Sequence, residues 1–555
     1  MNDLPNPLEA KKSGTRILVQ PENRFDRIVV RSSEWLNPIL VRECRRALKS
    51  NQFVTTSGLL LVAALAWSFI GLNHYRNIEM GEGTIDFMTG YFWILLVPLL
   101  LIVPVYTFLA IESERTGNLS DLVSLTTMRP SQIILGKVGS ALMQVIIYVS
   151  MLMPFICFTY LLRGIAPSYL LIGLVFSIVV SFCLISLATL FATAPISRSL
   201  RIITLLIFTG IVAFAYFGVG ASLSEIQGIS RHLFYQNDSV PVIGASMMIV
   251  SYAPICLTTA ISQMTFRADN RSTMVRVALL LQQGLLLAWL YSTFYLVIDV
   301  EFFTYVLAFC AIATIHWIVI AAIMIGEKPE ISRRVRRSYP RFFGLRAIWA
   351  WMFPGPFRGM MFCLCNVWVI ALFFAWLLYF SPFRSEMTAM VGPGRGGARI
   401  LNSIMMSVVC IGFYVTIYVC LTAIIVRLFR IRLSIGPIFS LAIMVGLIGV
   451  ITIWSYQLLA LQDQRDLQFN TRVIPVGPTI AEFMCVPKML EYTVRGIFSA
   501  YDCFPIFATA ASLLLIVIVL GWKELSAVRV KMPERVRQDN LEHQDKVVPF
   551  DILTD

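Results

Sequence analysis

The stretch Thr89-Gly-Tyr-Phe-Trp-Ile-Leu-Leu-Val-Pro-Leu-Leu-Leu-Ile-Val-Pro-Val-Tyr-Thr-Phe-Leu-Ala-Ile111 contains no charged side chain and then breaks into Glu112-Ser-Glu-Arg115. A helix needs about 20 mostly apolar residues to cross roughly 30 Å of hydrocarbon, so this stretch predicts a membrane span with a charged end in water. Similar runs lie near 54–72, 138–162, 169–193, 202–221, 241–265, 277–298, 302–325, 360–381, 402–426, 437–460 and 506–522. The 241–265 run is the most polar, with Ser251, Pro254, Thr258, Thr259, Ser262 and Gln263, and a re-entrant or interfacial segment is the alternative there. Over 555 residues the chain is 57% hydrophobic and 14% charged, with a mean hydropathy of +0.76. That composition excludes an ordinary water-soluble domain and predicts an all-α integral membrane protein of about 12 transmembrane helices.

Charge sets the expected orientation. The formal net charge is +13, but in a membrane protein the division of Lys and Arg between loops is the informative quantity and needs no nucleic acid to explain it. With the N-terminus cytoplasmic, most of the 45 basic residues fall on the cytoplasmic side, and both termini are expected there. Removing the 241–265 span would turn the basic loop from Lys328 to Arg358 outward, which argues for keeping it. In that loop Arg333, Arg334, Arg336, Arg337, Arg341 and Arg346 read first as a topology anchor. Attraction to anionic membrane lipids, about 1 kcal/mol per basic residue, is the second reading.

The expected organisation is a cytoplasmic N-terminus over 1–53, a six-helix unit over 54–275, a second six-helix unit over 276–522 and a cytoplasmic tail over 523–555. No removable signal peptide is visible, since the first 50 residues are polar and charged throughout. Outer loops are expected at 382–401 and 461–505. The first contains the Gly-rich run 391–397, which lacks the strand and helix of a phosphate-binding loop. The second carries Cys485 and Cys503, candidates for a disulfide in an oxidising compartment. Of the eleven cysteines, Cys157, Cys183, Cys256, Cys310, Cys363, Cys365, Cys410 and Cys420 lie in apolar runs and read as small apolar fillers.

The spans hold no Asp, Glu, Lys or Arg away from their edges, where a proton- or ion-coupled transporter generally carries them. His316 reads as a histidine hydrogen-bonded between helices, and Gln144, Gln263, Gln282, Gln283 and Gln457 as interhelical glue. The chain has no GxSxG, HExxH, paired CxxC or GxxxxGK[ST]. The Cys363-x-Cys365 pair points to two helix faces and makes a poor metal site. No catalytic, cofactor or metal residue is therefore assigned, and energy for any work must come from another polypeptide.

Two polar segments carry the remaining information. Before the first run, Asn37 can cap a helix that starts at Pro38. Leu36, Ile39, Leu40, Cys44, Ala47 and Leu48 would form its apolar stripe, with Arg42, Arg45, Arg46 and Lys49 opposite, as in a helix lying in the membrane interface. After the second run comes Glu112-Ser-Glu-Arg-Thr-Gly-Asn-Leu-Ser-Asp-Leu-Val-Ser-Leu-Thr-Thr-Met-Arg-Pro-Ser-Gln-Ile-Ile-Leu-Gly-Lys137, in which Leu119, Leu122, Val123 and Leu125 can share one helix face.

Together these segments resemble the permease subunits of ABC-2 type transporters over residues 35–265. The family's first intracellular loop has an acidic start, a Gly, a Leu-rich middle, a Pro and a closing Gly-Lys. Glu112, Glu114, Arg115, Gly117 and Leu119 match its start, Leu122, Leu125 and Thr126 its middle, and Pro130, Ile134, Gly136 and Lys137 its end. Asn118 stands where the family usually has Thr. The resemblance implies a coupling helix that docks on a separate ATP-binding subunit, which would hold ATP and Mg. It also implies a multi-pass protein of the bacterial inner (plasma) membrane that moves a hydrophobic or amphipathic substrate outward. The second half has no such loop, so it reads either as a degenerate fused permease or as an added module on a subunit that pairs with a second permease copy. A non-transporting membrane scaffold and a membrane-embedded lipid-modifying enzyme are the rival readings.

Overall fold

The structure, a computed structural model, describes residues 38–74, 84–116, 129–161, 167–195, 198–224, 239–266, 269–296, 300–327, 334–335, 350–380, 395–430, 436–468 and 500–526. Among them every regular element is helical. Each of the twelve apolar runs falls on a helix. Ten of these helices are long and apolar enough to cross a membrane. The runs at 437–460 and 506–522 retain shorter apolar stretches, Pro437–Ile451 and Ile506–Gly521. The chain is thus a multi-pass, all-helical membrane protein.

It divides into two compact units, Met1–Ile226 and Gln227–Asp555. The expected boundary near 275 differs from this by one helix. The 241–265 run forms an uninterrupted helix, Ser239–Met264, despite Pro254, and packs within the second unit. Its polarity has a local cause: the Gln282 amide donates to Ser251 Oγ (2.9 Å), and Tyr252 meets His316 Nδ1 at 3.0 Å. In hydrocarbon, where water cannot compete, such bonds hold a polar helix against its neighbours.

In the first unit, α1 is Pro38–Leu48 and α2 is Asn51–His74. Helix α3, Thr84–Leu96, passes through a π-helical turn over Val97–Ile102 into α4, Val103–Thr116. Then follow α5, Pro130–Leu161, α6, Pro167–Thr193, and α7, Arg198–Ser224. The π turn contains Pro98 and is followed by Pro104, neither of which can donate a backbone N–H. The Val103 N–H bonds Pro98 O, and Ser181 Oγ on α6 donates to Leu99 O at 2.8 Å. A neighbouring helix thereby occupies the carbonyl that the wider turn releases. On α7, Phe208 is buried and stacks on Phe108 at 5.5 Å. Phe214, 81% exposed, faces outward with Ile202, Leu206 and Phe217. Such a broad exposed apolar face fits lipid rather than water.

The junction of α1 and α2 is capped at Ser50, whose Oγ accepts from the Phe53 N–H (3.2 Å) and donates to Ala47 O (2.7 Å). Helix α1 lies on the start of α5. It buries Ile39, Glu43 and Ala47, a set spaced by four and therefore on one face. Leu48 is exposed instead. The contact is close, because a Cβ at Gly139 would stand 2.7 Å from Leu40 Cδ1 and would displace the end of that side chain.

In the second unit, α8 is Ser239–Met264, α9 Thr273–Leu296, α10 Val300–Ile325, α11 Pro356–Phe380, α12 Arg395–Arg430, α13 Pro437–Gln468 and α14 Ala500–Ser526. Its core joins α9 to α12, with Trp317, Phe374, Cys410 and Cys420 fully buried. Indole donors are answered across helices, Trp317 by Gln283 Oε1 (2.9 Å) and Trp368 by Thr416 Oγ1 (3.2 Å). Gln282, Gln283 and His316 therefore act as interhelical ties.

The α1–α5 contact yields a first prediction. Gly139→Leu overpacks it and should lower stability by about 1–3 kcal/mol in thermal unfolding in detergent. Gly210→Leu on α7, where a Cβ meets open space, should leave the midpoint within about 0.5 kcal/mol of the parent.

Candidate functional site

The segment that carries the family resemblance leaves α4 and re-enters α5. Residues 117–128, with Gly117, Leu119, Leu122, Leu125 and Thr126, lie outside the described residues, as do the side chain of Arg115 and residue Asn37. The two ends of the segment are described. Helix α5 begins at Pro130, at the first helical position where a missing N–H costs nothing. Gln132 Oε1 reaches back to accept the Arg129 N–H at 3.0 Å, half of a capping box. Ile134 and Gly136 are buried within the first two turns.

At this foot the charges converge. Lys137 Nζ lies 2.7 Å from Glu114 Oε2, with side chains 9% and 24% exposed. Arg46 on α1 approaches Glu114 Oε1 at 3.8 Å, and Arg201 on α7 approaches Glu112 Oε1 at 3.6 Å. The acidic start and the lysine end of the matched motif, 23 positions apart in sequence (137 less 114), are therefore one ion pair. A half-buried pair of this geometry is stronger than an exposed one, and removing one partner strands the other. Glu112 and Glu114 tie the exit of α4 to α7, α5 and α1 together, so the base of the 117–128 segment is held on three sides.

On α1, Arg42 and Glu43 form a local pair, Nη2 to Oε1 at 2.7 Å. The hydrogen bond to the Glu43 carboxylate raises the pKa of Arg42, and burial pushes the Cys44 thiol up, keeping it protonated. Arg45 and Arg46 are exposed. The cationic face thus stands outward as the sequence pattern predicts, but the buried face includes Glu43, which the apolar stripe omits. Cys485 and the side chain of Cys503 lie outside the described residues. Arg334, in the 328–358 loop, pairs with Asp269 at 3.3 Å on the surface.

A second charged constellation, in the second unit, was hidden from the sequence pattern. Arg276, in the first turn of α9, is 0% exposed. It donates to Phe353 O at 2.6 Å, to Trp351 O and to Glu327 Oε2 at 3.0 Å, and its guanidinium lies 5.8 Å from the Phe362 ring centroid. Glu327 Oε2 also accepts the Gly355 N–H at 2.9 Å. Gly355 has φ +144°, a conformation that excludes most side chains. Arg276 borders an apolar run, where a basic residue ordinarily snorkels to water. Here it turns inward and fastens the 350–355 turn to the ends of α9 and α10. Cys363 is buried and Cys365 exposed, facing different ways. Among the described residues no three His, Cys, Asp or Glu side chains converge as a metal site requires.

No family model, curated protein or solved structure matches the chain. The functional reading rests on the motif and on this geometry.

The ion pair at the foot predicts a charge-swap result. Glu114→Lys and Lys137→Glu alone should each destabilise the first unit, whereas the double exchange should recover roughly 1–3 kcal/mol of coupling in thermal unfolding. In the second unit, Glu327→Ala strands the buried Arg276 and should cost about 3–5 kcal/mol by the same assay.

Proposed function

We propose that the chain is the membrane-spanning permease subunit of an ABC-2 type transporter, which moves a hydrophobic or amphipathic substrate out across the bacterial plasma membrane with energy from a separate ATP-binding subunit. The observation that carries this reading is the Glu114–Lys137 ion pair. It joins the two ends of the segment whose residues follow the order and spacing of the family's coupling loop. A coupling element has to pass a partner's displacement to the helices on either side of it, which requires a stiff base. Here α4 and α5 share one, braced by Arg46 and Arg201.

In this reading twelve helices span the membrane, both termini are cytoplasmic, and the 112–137 segment faces the cytoplasm. ATP and Mg bind the partner, and this chain holds neither cofactor nor catalytic residue. Two features support the orientation. The charged ends of α1, α4, α5 and α7 meet at one end of the first unit. In the second unit the ends bearing Arg276, Arg334 and Arg430 gather around Glu327, Asp269 and the Ile325 carbonyl. Each set belongs to the basic side of the positive-inside assignment.

The test is co-purification from membranes in mild detergent. The parent chain is expected to bring down an ATP-binding protein, and the double variant Glu114→Ala/Gly117→Leu to lose it while keeping its monodisperse profile. If neither chain carries an ATP-binding protein, the non-transporting scaffold becomes the better reading.

A further inference from the structure

A cavity of about 230 Å³ lies in the second unit, between the end of α10, the start of α11 and the ends of α12 and α14. Its wall is mostly apolar, with Phe357 and Met360 of α11, Ile424 of α12, and Val517 and Leu520 of α14. Phe357 packs against Gly521 of α14, which fixes one side. The charged side chains of the lining are Arg427 and Arg430, three positions apart and so on one face of α12. The rim is apolar and open. Leu520 is 39% exposed, and Leu428 and Phe429, beside the arginines, are 64% and 50% exposed, a surface that fits acyl chains rather than water.

Charge at this end of the unit is unequal. The described side chains of the second unit include Arg271, Arg276, Arg334, Arg358, Arg427 and Arg430 against two carboxylates, Asp269 and Glu327. Both carboxylates are taken, Glu327 by the buried Arg276 and Asp269 by Arg334. Past the lining, the sequence after α12 reaches Arg432 and α14 carries Lys523 and Glu524, so these segments add more cation than carboxylate. Arg430 gives one N–H to Ile325 O at 2.9 Å, and a guanidinium has five to give. Cations gathered at the margin of hydrocarbon favour an anion that can follow them there. A small dissolved anion would leave the apolar wall bare. A lipid phosphate suits the fork of a guanidinium and brings chains that cover the wall. The cavity also falls short of the roughly 300–1,000 Å³ of ordinary small-molecule sites, as befits a ligand that enters only in part.

We propose that this cavity holds an anionic phospholipid, with its phosphate on Arg427 and Arg430 and one acyl chain laid along Phe357, Met360 and Leu520. The lipid joins α11, α12 and α14 at one end of the second unit. The site rests on the membrane-spanning fold, not on an ATP-binding partner.

The test is native mass spectrometry of the full chain released from detergent with equimolar phosphatidylglycerol and phosphatidylcholine, after a wash at about 0.5 M salt that screens lipid held only on exposed basic faces. Phosphatidylglycerol is expected to be retained about 25-fold over phosphatidylcholine, and Arg427→Gln and Arg430→Gln each to lower that ratio roughly fivefold. Arg427→Gln leaves the Arg430 bond to Ile325 in place, so the fold does not depend on the residue tested. Ala423→Phe keeps both arginines, fills the cavity and should lower phosphatidylglycerol retention as well. Equal retention of the two lipids, or an anionic preference unchanged in both arginine variants, overturns the proposal. Glycerophosphoglycerol, added as free headgroup, is expected to compete weakly; if it displaces the lipid at equal concentration, the cavity takes a soluble anion and the lipid assignment falls. Retention is read on this chain alone, so absence of an ATP-binding partner would leave it unaffected.

Discussion

A charge at the margin of hydrocarbon has to find a countercharge or reach water, and the polar architecture of this chain follows from that constraint. The spans have almost no internal charge, so ionisable groups crowd at helix ends, where each fixes one end against another. Glu114 with Lys137 and Glu112 with Arg201 do so in the first unit, and Arg276 with Glu327 in the second. These pairs contribute less as net stabilisation than as specification, since a slip of one helix against its neighbour strands a charge. Functional segments at helix ends gain a defined geometry from the same contacts.

Inside the spans the constraint acts on backbone and amide groups. The π turn at Val97–Ile102 is tolerated because Ser181 on a neighbouring helix takes up a carbonyl that lipid cannot. Gln282, Gln283, Tyr252 and His316 tie α8, α9 and α10 by the same rule.

Much of this was legible in the sequence. Each apolar run lies on a helix, and Pro38 and Pro130 open α1 and α5 as a proline at the first helical position should. Glu114 and Lys137, singled out by the resemblance, meet at the feet of α4 and α5. What remained hidden depends on tertiary contact. The α1 stripe placed Leu48 inward and left Glu43 out, because an apolar pattern cannot foresee a carboxylate buried beside its own Arg42. Arg276 looked like a span edge, and only the 350–355 turn, far away in sequence, makes it interior. The sixth run was grouped by order along the chain, whereas its hydrogen bonds belong to the helices that follow. The π turn had a signal in the Pro98 and Pro104 pair, which periodicity alone does not weigh.

The central claim is that the segment between Glu114 and Lys137 is a partner-facing lever. It is tested most directly by placing a photo-crosslinking amino acid at Leu122, irradiating intact cells and identifying what is captured. The account predicts a single cross-linked ATP-binding protein, lost when Lys137→Glu is introduced in the same chain. Capture of lipid alone, or accessibility of position 122 to an impermeant reagent added outside the cell, would contradict it.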